Sequence, residues 1–352
     1  MKPLNQSWRR AANPRPIVII GAGSIVRTAH LPIYQRLEYP VAGLFDISAD
    51  VARRTASEFD IRTIFSSLDE ACRRTGVVFD LAVPGDQILG IVERLPERSA
   101  VLIQKPLGQD LSAARDIRTV CHQRALTACV NFQLRFSPNV LALRDMLSRS
   151  LLGTMVDIEV RLVVNQPWHL WTFLKSSPRV EILYHSIHYL DVIRSLLGEP
   201  SGVYCRAVGH PELREFRDTR STIILDYGDC VRCSLTLNHT HRQGPPHRAS
   251  QLKVETTSGA AVLTFGVNLD YPHGGADALE VAIGDGSWEQ IPLRGSWFIE
   301  AFEGPMSNLQ RFVAGEDDAL LSSVDDAIKT MALVEACYES SERGATMIPS
   351  VD

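Results

Sequence analysis

From Pro16 to about Phe136, short apolar runs alternate with segments of helical period, the signature of a parallel sheet joined by crossover helices. The runs predict strands over Ile17 to Ile20, Val41 to Asp46, Asp80 to Val83, Val101 to Gln104 and Ala128 to Phe132. After Pro138 the period becomes two. MVDIEVRLVV, STIILDYGDCVRCSLTL, SQLKVETTSGAAVLTF and LEVAIGD alternate apolar and polar residues, as a sheet with one buried face does. The expected organisation is an N-terminal extension (1–15), a doubly wound Rossmann domain (16–137) and an α+β domain on a large, mostly antiparallel sheet (138–352), with a tight hinge near Phe136 to Leu141.

Two helices stand out in the second half. Glu181 to Leu197 places Leu183, Ile187, Leu190 and Leu197 in one stripe and Glu181, Tyr184, His188 and Asp191 on the opposite face, and Gly198 and Pro200 end it. A solvated face usually carries Lys and Glu, so a row of Tyr, His and Asp points to a site. The last apolar helix, roughly Val324 to Tyr338, begins within SSVDDA, where Ser and Asp can cap its free N–H groups.

Composition narrows the class without choosing a chemistry. The 352 residues are 45% hydrophobic and 22% charged, enough for two compact cores, and the net charge of -5 has no long run of one sign to recruit nucleic acid or an anionic membrane. No apolar region follows MKPLNQSWRRAANPRP and no run of about 18 apolar residues occurs, so the chain reads as cytosolic with a small-molecule partner. Seven cysteines at irregular spacing, with a single Cys-x-x-Cys pair at Cys230 and Cys233, read as free thiols.

In IVIIGAGSIVRTAHLP a buried strand runs into Gly21 and Gly23 and then into a helix, the context in which such glycines bind a dinucleotide. Gly21 permits the tight turn. Gly23, with Ser24 and Ile25 beside it, lets backbone approach a pyrophosphate at the helix N-terminus. Asp46 ends the second strand, where a carboxylate accepts the ribose hydroxyls of NAD and repels the extra phosphate of NADP, although Arg53 and Arg54 keep NADP open. The other reading of Asp46 is a helix cap. Gln104-Lys105-Pro106 follows the fourth strand, whose C-terminal end faces the crevice, and there a lysine can stabilise an alkoxide as hydride leaves.

These landmarks, in this order, resemble the glucose–fructose oxidoreductase / inositol dehydrogenase family (Gfo/Idh/MocA) over essentially Pro16 to the end. His30-Leu31-Pro32 matches H-x-P, Gln104-Lys105-Pro106 matches E-K-P, and Tyr184 to Asp191 matches D-x-G-x-H-x-x-D, with Lys105 and His188 kept. Asn131 to Pro138 is similar to the strand leading into R-F-x-P, which implies that Gln133 lies near nicotinamide and substrate. The chain departs at Val26 for a small residue, Ile88 for the histidine after the Pro84 turn, Gln104 for Glu, and Tyr184 for the first Asp.

What the resemblance implies is an NAD(P)-dependent oxidoreductase acting on a hydroxyl or carbonyl of a polyhydroxylated substrate. It would use His188 as general acid/base, Lys105 to polarise the oxygen and Tyr184 to complete the relay if nearby cations lower its phenol pKa. Cofactor contacts are expected from Gly21, Gly23, Ser24, Ile25, Asp46, Pro84, Gln104, Lys105 and Gln133. Substrate contacts are expected from Lys105, Gln133, Arg135, Trp168, His169, Tyr184, His185 and His188. Trp171, Asn238, His239, His241, Tyr271 and His273 are further pocket candidates; His239 and His241 with His247 could bind a metal but lack an accompanying carboxylate, so no catalytic metal is expected. Assembly as a homodimer or homotetramer through the sheet is expected. The alternatives are a non-catalytic nucleotide or sugar sensor on the same fold and an amino-acid biosynthetic dehydrogenase, for which Arg135 is the obvious carboxylate partner.

Overall fold

A computed structural model describes residues 2–271 and 273–346; Met1, Pro272 and 347–352, the end of the expected C-terminal domain, lie outside the described residues. Five strands, β1 (Ile17–Ile20), β2 (Val41–Phe45), β3 (Val78–Leu81), β4 (Ala100–Ile103) and β5 (Thr127–Val130), form an all-parallel sheet in the order β2-β1-β3-β4-β5. Each expected run overlaps its strand, with ends shifted by one or two residues in all but the first. The third starts earlier than Asp80, because Val78 and Phe79 already pair with β1 and β4.

The second sheet has eight strands: β6 (Met155–Val163), β7 (Gly202–Val208), β8 (Arg220–Asp226), β9 (Arg232–Asn238), β10 (Ala249–Thr256), β11 (Gly259–Thr264), β12 (Ala278–Ile283) and β13 (Glu289–Gln290). Their order is β13-β12-β11-β10-β6-β9-β8-β7, antiparallel except where β6 runs parallel to β9. Ile158, Val160 and Leu162 of β6 and Leu235 and Leu237 of β9 are buried, while Glu159, Arg161 and Thr236 between them are exposed. That is the alternation the sequence shows. Of the two strands it does not single out, β7 is half-buried over most of its length and β13 is two residues long.

Packing couples the two halves. Ile17 and Ile19 share one core with Met306 and Leu309 of helix Glu303–Val313, so the C-terminal half lends a helix to the parallel sheet. Val18 and Ile20, on the other face, share a core with Ile158, Val160, Leu235 and Leu252 of the second sheet. The last helix, Val324–Arg343, starts at Ser323, whose hydroxyl accepts from Asp326 N. It reaches both halves: Glu335 accepts from Leu111 N, and Ser340 and Ser341 accept from Cys205 N and Ala207 N. All seven cysteines are free thiols, with Cys230 exposed and Cys233 buried.

Candidate active site

After β1 the chain turns at Gly21 and Gly23 into the next helix. Gly21 has φ +93°, and a Cβ there would lie 2.4 Å from the Ala82 carbonyl oxygen, so only glycine fits the turn. A Cβ on exposed Gly23 would meet no protein atom within 4 Å, which leaves its backbone open to a phosphate. Ser24 is exposed, Ile25 is half-buried against the core, and Val26 is fully buried at the start of a π-helical turn, Val26–His30. Asp46 accepts from Ala22 N at 2.7 Å and Ser48 N at 2.8 Å, which ties the cradle to the end of β2. Ser48, not Asp46, caps helix Ala49–Glu58. Beside Asp46 a cavity of about 470 Å³ is lined by Phe45, Ile47, Arg53, Phe65 and Ser67, a size suited to a small ligand.

These features fit a dinucleotide. Asp46 and the cavity would hold the adenosine end and Gly21 to Gly23 the pyrophosphate. Gln133, nearly buried with its Oε1 unpartnered, would hold the nicotinamide carboxamide. Pro84 is exposed at the start of the turn Gly85–Gln87, and Ile88, where the resemblance looks for histidine, is fully buried in the core.

At the end of β4, Lys105 donates from Nζ to the backbone carbonyl of Tyr184 at 2.7 Å. That bond carries the lysine onto the segment that bears His188. Burial lowers the Lys105 pKa to about 8. Burial and the Lys105 charge hold His188 well below the ordinary imidazole value, and burial with His239, Lys105 and His188 does the same to His185. Lys105 and the two histidines are thus in electrostatic contact, the histidines neutral at pH 7 and the lysine readily deprotonated. His188 Nδ1 and His185 Nε2 have no partner, and the His188 ring packs edge-on against Trp297 at 5.3 Å.

The segment 181–197 is not one regular helix. Ile182–Ser186 forms a π-helical turn and Ile187–Leu197 an α-helix, and the wider turn rotates its residues away from the single face a uniform 100° step implies. Glu181, Tyr184 and Asp191 turn to separate partners, His239, Phe173 and Arg135, instead of joining His188 in one hydrogen-bonded row. Asp191 is buried in an ion pair with Arg135, whose Nε donates to Oδ2 at 2.5 Å and whose NH2 donates to Oδ1 at 2.6 Å, and Thr330 also donates to Asp191. Arg135 further pairs with Asp326 at 2.6 Å and donates to the Leu321 carbonyl at 3.0 Å. These two carboxylates push its pKa up. Arg135 is accordingly a structural cation, not a substrate contact, and the carboxylate pocket of an amino-acid dehydrogenase loses its obvious cation.

Tyr184 also departs from expectation. Its ring packs edge-on against Phe173 at 5.7 Å, and burial raises its pKa, with only Ser177 acting to lower it. A phenol shifted upward is a poor relay at neutral pH. What Tyr184 contributes to the lysine is its backbone carbonyl.

Trp168 and Trp171 pack edge-on against His185 at 5.3 and 5.9 Å, and Trp171 also meets Tyr271 at 5.4 Å; His169 between them is exposed. Asn238 accepts from Thr240 N, His241 Nε2 lies 3.1 Å from the Pro246 carbonyl, and His247 has a positive φ; His273 is exposed. No cluster of three metal-ligating side chains occurs among the described residues.

A buried network around Asp80 escaped sequence reasoning. Asp80 reads as one polar residue in an apolar strand, yet it is fully buried and accepts from Tyr34 OH at 2.8 Å, with His30 Nδ1 also at 2.8 Å. Asn131 continues the network from His30 Nε2 at 3.2 Å to Gln104 Oε1 at 2.9 Å, beside Lys105. Glu181 lies beneath the other wall, with His239 Nε2 3.1 Å away. A charged residue inside an otherwise apolar run was the available signal for Asp80.

The chain thus pairs a parallel, Rossmann-like sheet with a mainly antiparallel one, and Lys105 lies within electrostatic reach of His188. No family model matches the sequence. A D-apiose dehydrogenase of Paraburkholderia graminis is 23% identical over 343 residues, covering 94% of this chain and 88% of that protein. Among solved structures, an oxidoreductase from Agrobacterium radiobacter in complex with NAD+, L-tartaric acid and magnesium superposes with a TM-score of 0.79 at 18% identity, covering 95% of this chain and 98% of that one. An aldose-aldose oxidoreductase from Caulobacter crescentus superposes with a TM-score of 0.79 at 14% identity, covering 95% and 99%. In fold, domain order and the Lys105 and His188 landmarks, the chain resembles the Gfo/Idh/MocA family of oxidoreductases.

Proposed function

We propose that the chain is an NAD-dependent dehydrogenase that interconverts a hydroxyl and a carbonyl on a sugar, cyclitol or related polyol. The observation that carries this reading is the 2.7 Å bond from Lys105 Nζ to the Tyr184 carbonyl, which sets a lysine of lowered pKa against the segment bearing His188 at the open end of the parallel sheet. When bound, the nicotinamide supplies the hydride acceptor or donor. Lys105 hydrogen-bonds the reacting oxygen and steadies its developing negative charge. His188, neutral and buried, takes up or returns the hydroxyl proton. Gln133 orients the carboxamide, and Asp46 favours NAD over NADP by repelling a ribose phosphate.

The substrate class rests on the D-apiose and aldose oxidoreductases to which the chain is similar, and on the aromatic wall of Trp168, Trp171 and Tyr271. A non-catalytic sensor is not favoured, because these relatives are named as dehydrogenases or oxidoreductases. No helix among the described residues is long and apolar enough to cross a membrane, and we read the protein as cytosolic and homo-oligomeric. The test is a panel of neutral aldoses including D-apiose, cyclitols and sugar acids with NAD+ and NADP+, followed by absorbance of the reduced nicotinamide. Turnover faster with NAD+ is expected. NADH binding without turnover of any compound would return the chain to a sensor.

A further inference from the structure

Three residues before Tyr184, whose carbonyl accepts from Lys105, lies a buried carboxylate with no part in the chemistry above. The Glu181 carboxylate has no solvent exposure; the Ser186 and Ser221 hydroxyls donate to it, and His239 Nε2 lies 3.1 Å from Oε1. A carboxylate can only accept, so His239 carries its proton on Nε2 and presents a lone pair at Nδ1. His239 is nine-tenths buried and Nδ1 has no partner. Beside it the Trp168 indole N–H, equally buried, has no acceptor. The Trp168 and His239 rings are 6.1 Å apart, and His185 lies 4.8 Å from His239 and 5.3 Å from Trp168. His185 directly follows Tyr184, whose carbonyl accepts from Lys105, so this cluster adjoins the lysine.

A buried acceptor and a buried donor left together call for a group that can both donate and accept. We infer that Glu181, His239 and Trp168 form an anchoring site for an uncharged hydroxyl of the substrate, remote from the reacting carbon, and that this site selects neutral polyols over sugar acids. This rests on the dehydrogenase reading. A carboxylate cannot donate to Nδ1, and it would face the charge of Glu181, behind which lies a second carboxyl, Asp218, pushed up to about 6 by burial and by Glu181 itself.

The experiment compares wild type, His239→Phe and Glu181→Gln on the best neutral sugar of the panel, its singly deoxygenated analogues and the matching uronic acid. His239→Phe is expected to raise KM for the full sugar about tenfold or more with kcat little changed, as when a site built for a hydroxyl loses its partner. For one deoxy analogue, wild type and variant should then have equal KM. Glu181→Gln should shift KM in the same direction, and it carries the test should His239→Phe lack a cooperative thermal transition. The anchor is overturned by unchanged KM in folded variants, by wild type treating all deoxy analogues alike, or by preference for the uronic acid. Failure of wild type to turn over any panel compound with either cofactor overturns the dehydrogenase reading and the anchor with it, an outcome distinct from active variants of unaltered KM.

Discussion

At the scale of single residues, the chemistry depends on how strongly each group is kept from water. Lys105 is the clearest case, because burial brings its pKa to about 8 and so into the range where it can exchange a proton during turnover. The sign follows from its charge: below that pKa it is an ammonium that can donate to the reacting oxygen in either direction, and above it that charged donor is lost. Reduction and oxidation should therefore both slow as pH rises through about 8. Profiles of kcat/KM in both directions check this, and profiles flat through that interval would remove Lys105 as the donor to the oxygen. Lys105 and His188 were legible in the sequence because each belongs to a motif with a fixed place in the fold. Arg135 and Asp191 were equally visible as residues, but their pairing joins positions 56 apart, and only the folded chain shows that they satisfy each other.

Elements place these residues, and here the periodic signal served well for strands and less well for turns. The five parallel strands and most of the second sheet followed from apolar runs and alternation, since burial of one or both faces imposes those patterns directly. A π-helical turn leaves no such mark. The one at Ile182–Ser186 breaks the 100° step on which the polar-face argument relied, so Tyr184 offers its carbonyl to Lys105 while its ring turns to Phe173. The cradle after β1 is an element whose requirement can be read residue by residue. Gly21→Ala should weaken NADH binding by an order of magnitude or more, because the turn must move to clear a Cβ placed 2.4 Å from Ala82 O. Fluorescence titration with NADH measures it, and an affinity equal to wild type would mean that the turn does not hold the cofactor.

For the whole molecule, the two halves are coupled through shared cores, the helix Glu303–Val313 on the parallel sheet and the helix Val324–Arg343 across both. Chain order divides the protein near residue 137, but it does not foretell that a late helix returns to complete the first sheet. The outer face of the eight-stranded sheet exposes Tyr204 and Ile224 among Glu159, Arg161 and Thr236, a mixed surface suited to a second copy. Light scattering at micromolar concentration should give a dimer or tetramer, and a monomer would leave that face to solvent. The central claim is that Lys105 and His188 perform hydride-coupled proton transfer on a neutral sugar. The most direct measurement is kcat of Lys105→Ala on the best substrate of the panel, with fold checked by circular dichroism. A fall of about two orders of magnitude or more is predicted, the scale of losing one donor to a developing oxyanion, and turnover equal to wild type would contradict it.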